Sequence, residues 1–112
     1  MRLFALILAV FAAAGAARAA DWEVLDGAGI QAALEGRKLT YSSGAWQEFR
    51  ASGRTLYHAG RDRWAIWAVR GDEYCSVWPP SDLWACYQVE GSPSGVRFIG
   101  RGGEATEGRY TP

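Results

Sequence analysis

Glu73-Tyr-Cys-Ser-Val-Trp-Pro-Pro-Ser-Asp-Leu-Trp-Ala-Cys-Tyr-Gln-Val-Glu90 is the stretch that decides the fold. Residues 73–78 and 83–90 are rich in aromatic and β-branched side chains and read as strands. Pro79-Pro80-Ser81-Asp82 between them reads as a turn. With Pro79 facing Asp82, Trp78 meets Leu83, Val77 meets Trp84, and Cys75 meets Cys86. A slip of one residue would part the cysteines and exchange the two faces of the hairpin.

Cys75 and Cys86 are the only cysteines, and an even count favours a bridge wherever the compartment is oxidising. Closing this loop stabilises by about 3 kcal/mol in the chain-entropy model. Two thiols with one histidine in the whole chain fall short of a four-ligand zinc site, and there is no C-x-x-C redox pair. No metal and no cofactor is expected.

The register places Val77, Trp84 and both cysteines on one face, and Tyr74, Trp78, Leu83, Ala85, Tyr87 and Val89 on the other. Both faces are substantially apolar. One can form the core, and the second needs a covering element, a partner or a ligand.

Upstream, residues 63–70 read as a strand that turns through Gly71-Asp72 into the Glu73 strand. Arg70-Gly71-Asp72 matches an adhesion tripeptide but is more economically this hairpin turn. Residues 46–51 and 54–59 form another hairpin around Ser52-Gly53. Downstream, residues 91–95 read as a loop and 96–100 as a last strand. The Gly-rich tail, 101–112, is weakly specified, with Tyr110 its one side chain suited to packing.

Near the start, Asp26 is suited to cap a short helix on which Ile30, Ala33 and Leu34 share a face. Leu25 is placed to staple onto Ile30, and Gly36 stops the helix. The expected fold is α+β: an antiparallel meander of about five to seven short strands, as a curled sheet or small barrel, with one N-terminal helix and one disulfide hairpin.

Residues 1–19 show a basic Arg2, an uncharged apolar run and the small residues Ala17 and Ala19, the pattern of a signal peptide cut after Ala19. The run is shorter than the roughly 20 residues needed to span a bilayer, so no transmembrane segment is expected after cleavage. Periplasmic or secreted placement follows. Removing 19 of the 112 residues leaves 93, a single domain over 20–112. The whole chain has twelve bases and twelve acids, so no electrostatic case exists for nucleic acid.

All six tryptophans (Trp22, Trp46, Trp64, Trp67, Trp78, Trp84) lie beyond the signal segment. Large rings give a short chain the burial it needs, and exposed ones stack on sugars or anchor protein contacts. Trp78 beside Pro79 and Pro80 at a hairpin tip is the foremost candidate for contact, with Trp84 and Trp46 next. No catalytic residue is assigned. His58 is the sole histidine, Glu48, Asp62 and Asp72 are unremarkable carboxylates, and neither G-x-S-x-G nor H-E-x-x-H occurs. Glu104 and Glu107 lack metal-loop spacing.

Tyr74-Cys-Ser-Val-Trp-Pro-Pro-Ser81 followed by Trp84-Ala-Cys-Tyr87 resembles a group of short exported bacterial proteins of uncharacterised function. Leu34-Glu-Gly-Arg-Lys-Leu-Thr-Tyr41 and Gly53-Arg-Thr-Leu-Tyr57 add to the likeness, which covers most of residues 26–110. The resemblance implies an exported domain of this size and carries no catalytic residues. Size, compartment and architecture also place the chain in loose analogy with periplasmic inhibitors of proteases or lysozymes. The expected function is that of a non-enzymatic binding protein of the bacterial envelope, with a protein partner such as an envelope enzyme it inhibits. The alternatives are a small hydrolase of an envelope polymer and a glycan-binding module.

Overall fold

The computed structural model describes residues 21–112. The expected signal segment, 1–19, lies outside the described residues.

Helix α1, Gly27–Leu34, begins where expected: an Asp26 carboxylate oxygen accepts from the Gly29 N–H at 2.8 Å. Ile30 and Leu34, four residues apart on one face, are fully buried. The helix ends at Glu35. Gly36, at φ 74°, redirects the chain and donates its N–H to the Phe49 carbonyl at 2.7 Å.

Nine strands follow the chain: β1 (Glu23–Val24), β2 (Arg37–Tyr41), β3 (Trp46–Phe49), β4 (Arg54–His58), β5 (Asp62–Arg70), β6 (Glu73–Val77), β7 (Ala85–Ser92), β8 (Gly95–Ile99) and β9 (Ala105–Tyr110). From β2 to β9 each strand pairs antiparallel with the next, and β9 returns to pair with β2. Eight strands therefore close an up-and-down barrel, which leaves no open sheet edge. β1 stands outside the ring, on β7 beyond the end of β6, with Glu23 opposite Gly91.

This corrects the expected fold class. The α+β meander of five to seven strands, curled or forming a small barrel, is instead a closed eight-stranded barrel with a ninth strand outside it. Two segments account for the difference. Residues 91–95, expected as a loop, mostly continue the strands, since β7 runs to Ser92 and β8 begins at Gly95. The supposedly unspecified tail contains β9, whose ladders to both β2 and β8 complete the ring.

Register decides which side chains enter the barrel. Tyr74 pairs with Tyr87 and with Val69, Trp67 with Ser76, Tyr57 with Arg63 and Gln47, Leu39 with Gln47 and Tyr110, and Val96 with Gly108. Paired residues share a face, so all of these point inward. The intervening rows point outward and carry Lys38, Glu48, Arg54, Glu90, Arg97 and Glu107. Among the described residues, no helix is long and apolar enough to cross a membrane.

Helix α1 plugs the end of the barrel from which β2 departs. Ile30 and Leu34 join Leu39, Phe49, Trp67, Val89 and Val96 in the core. Phe49 presents an edge contact to Trp67 and another to Tyr74, each with centroids 5.8 Å apart. Cys75 and Cys86 are directly paired and bridged, as their spacing in the hairpin predicts.

Candidate functional site

Among the described residues, no element plugs the barrel end opposite α1. It is bordered by the connections at 42–45, 59–61, 78–84 and 100–104, and it opens into a cavity of about 500 Å³. An eight-stranded barrel is just wide enough to be filled by its own side chains or to hold one small ligand. Here the helix end is filled and the far end is not.

The cavity wall is aromatic, with Tyr41, Tyr57, Tyr74, Trp78, Tyr87 and Phe98. Hydroxyls of Ser42, Ser43, Ser76 and Thr106 and the Gln47 amide interrupt it. A directed relay organises its floor. The Tyr41 phenol donates to Gln47 Oε1 at 2.6 Å, Gln47 Nε2 donates to Thr55 Oγ1 at 2.8 Å, and the Thr55 hydroxyl donates to the Glu48 carbonyl at 2.7 Å. Each donor ends on an acceptor, so the Gln47 amide is held in one orientation. No buried side-chain polar atom among the described residues lacks a partner.

Burial pushes the Tyr74 phenol up to about 12, against a smaller opposing pull from Ser76 and Gln47. Burial raises Tyr41 as well, and the phenols of Tyr74 and Tyr57 add to that rise. Both rings are therefore neutral at physiological pH.

Trp78 stands at the rim of this cavity, half-buried. Its indole N–H donates to Ser76 Oγ at 3.0 Å, and Tyr57 meets it edge-on at 6.0 Å. The Arg63 guanidinium lies 5.2 Å from its ring centre. Among the described residues, Arg63 is the only charged one lining the cavity. Among the described residues it makes no ion pair, whereas Arg50, Arg97, Arg101 and Arg109 each have a carboxylate within 4 Å.

The other expected contact residues are dispersed. Pro79 and Pro80 are exposed on the same rim, joined by a cis peptide bond. Trp84 does not line the cavity, and the Arg70 guanidinium covers it at 3.9 Å. Trp46 lies on the outer wall, paired with Thr40 and His58. It is sandwiched by the stacked His58 ring at 5.1 Å and by Lys38 at 4.2 Å. Trp22 and Trp64 are likewise covered by arginines. Only Trp67, inside the core, has no cation above it. Trp78 is thus brought together with Tyr57, Ser76 and Arg63, and not with Trp84 or Trp46.

His58 Nδ1 contacts an Asp62 carboxylate oxygen at 2.8 Å on the outward row, away from the cavity. Glu73, Cys75 and Cys86 bring potential ligand atoms close together, but both sulfurs are committed to the disulfide.

Sequence reasoning missed Arg63, Tyr41, Tyr57 and Gln47. A signal for Arg63 was present. The two-residue turn at Gly71-Asp72 sets Val69 opposite Tyr74, so alternation along β5 carries Arg63, Ala65 and Trp67 to the Tyr74 face. Comparison with family models, with curated proteins and with solved structures finds no match for the chain.

Proposed function

We propose that this chain is an exported, non-enzymatic binding protein whose site is the open mouth of the barrel, taking a small ligand. The observation that carries this reading is the unplugged aromatic cavity facing the helix-sealed end. Its volume is typical of small-molecule sites, and its walls combine apolar surface with a few placed polar groups. Binding is favoured over catalysis because, among the described residues, no carboxylate or imidazole lines the cavity and its buried phenols remain protonated.

The test is titration with the neutral fluorescent probe N-phenyl-1-naphthylamine, read by dye emission and by energy transfer from tryptophan. Saturable binding at one site is expected, lost in Thr106→Phe, which adds bulk at an exposed inward position of the mouth. Binding undiminished by that substitution would place the dye elsewhere and reject the mouth.

A protein partner is the second reading, favoured by the exposed Pro79 and Pro80 and by Leu83, which is 78% exposed on the same rim connection. An envelope enzyme captured stoichiometrically by the wild type and released by Leu83→Ser would support it. Equal capture by both would count against it.

A further inference from the structure

We infer that the mouth is built for a planar aromatic organic anion, with its rings against the aromatic wall and its anionic group on Arg63. This deepens the small-ligand reading and rests on it.

Among the described residues Arg63 is the only charged group that lines the cavity, while the connections around the mouth carry both signs, Arg61 and Arg101 with Asp82 and Glu104. The rest of the chain does not make a positive mouth inevitable. Without Arg2 and Arg18, residues 20–112 carry ten bases and twelve acids, a slight negative excess. A cationic focus inside an acidic chain draws anions toward the mouth.

The position of Arg63 is fixed by strand geometry. It pairs with Tyr57 on the inward row of β5, at the exposed mouth end of that strand. Its guanidinium faces the Trp78 ring, and that indole is itself anchored through Ser76. A cation–π contact at 5.2 Å uses none of the guanidinium's N–H donors and leaves them for a carboxylate, sulfonate or phosphate. The other cations over tryptophans, such as Lys38 over Trp46 and Arg54 over Trp64, sit on outward rows and do not line this cavity.

The ligand's body follows from the wall. Tyr57 already meets Trp78 edge-on, and Tyr87 meets Phe98 in the same way at 6.5 Å. A planar ring inserted between such groups finds edge and face contacts together.

Two probes that differ only in charge test this. 1-Anilinonaphthalene-8-sulfonate is N-phenyl-1-naphthylamine with a sulfonate added. With the purified protein, the sulfonate should bind about tenfold more tightly than the neutral dye, the scale of one charge-assisted contact. Arg63→Gln should bring the two affinities to near parity by weakening the sulfonate far more than the neutral dye, while Arg63→Lys should keep part of the preference. Raised salt should weaken the sulfonate alone. Equal affinities for the two dyes, or equal loss of both in Arg63→Gln, would overturn the anion assignment and leave the mouth as a site for neutral ligands. Sulfonate binding that persists in Thr106→Phe would mean a surface elsewhere and would overturn it too. Failure of both dyes to bind would reject the small-ligand reading itself.

Discussion

The Tyr110 hydroxyl donates to the main-chain carbonyl of Ala33 at 2.8 Å, tying the last strand of the barrel to the helix that seals it. The two residues are 77 positions apart. Ala33 lies in the last turn of α1, where carbonyls lack helical partners. The bond therefore satisfies a helix end and holds the end of β9 against α1. Arg37 covers the same ring at 3.7 Å.

Tyr110→Phe removes the donor and keeps the ring. A loss of about 1 kcal/mol is expected, the usual net worth of one such bond, from urea unfolding with an unchanged slope. No change in midpoint would show that the carbonyl is equally well served by water.

Reduction of Cys75–Cys86, or the Cys75→Ala, Cys86→Ala double variant, should cost about 3 kcal/mol from the closed-loop entropy of the unfolded chain. Thermal unfolding with and without reductant measures it. Equal unfolding temperatures would mean that the bridge adds nothing to an already paired hairpin.

A methyl group at Gly95 would run into the Gly108 main-chain carbonyl across the β8–β9 pair. Backbone cannot yield as a side chain can, so Gly95→Ala should destabilise by roughly 1–3 kcal/mol. At Gly91 the nearest atom to an added methyl is the flexible Leu25 Cδ1 at 2.9 Å, and Gly91→Ala should cost less. Denaturant melts of the two variants side by side would detect a reversed order.

Stability should fall at alkaline pH. An unfolded tyrosine ionises near 10, and burial pushes folded Tyr74 up to about 12 and raises Tyr41 as well. As pH rises past about 10 the unfolded chain releases protons that the folded chain retains, so the contribution of Tyr74 is complete below 10 and is lost between 10 and 12. For Tyr74 this amounts to something on the order of 2 kcal/mol. Urea midpoints from pH 8 to 12 should decline, and Tyr74→Phe should decline less. A flat profile in the wild type would contradict the burial-driven shift.

Trp78→Ala should weaken neutral-dye binding roughly fivefold to tenfold, in line with loss of one aromatic contact. Trp46→Ala and Trp84→Ala should leave it unchanged, because neither ring lines the cavity. Dye titration of the three variants checks this, and a loss in Trp46→Ala equal to that in Trp78→Ala would move the site to the outer wall.

What the sequence by itself determined is local. The Asp26 cap, the Ile30–Leu34 face, the turn at Gly71-Asp72 and the pairing of Cys75 with Cys86 each depend on residues close along the chain, where propensity, spacing and turn chemistry act directly. The tertiary structure decided closure. In β9 the inward positions are Thr106, Gly108 and Tyr110, and its other residues are Ala105, Glu107 and Arg109. No apolar alternation marks it as a strand, because the mouth end of the barrel is not filled. Gly108 is small because a Cβ there would lie within 3.1 Å of Leu39 and Tyr41. Main-chain bonding to two neighbours holds β9 with little help from its side chains. The cavity followed from the same event. Tyr41, Tyr57, Arg63 and Trp78 come from four different strands or their ends, and only ring closure with a helix at one end makes their shared side an interior with a single open mouth.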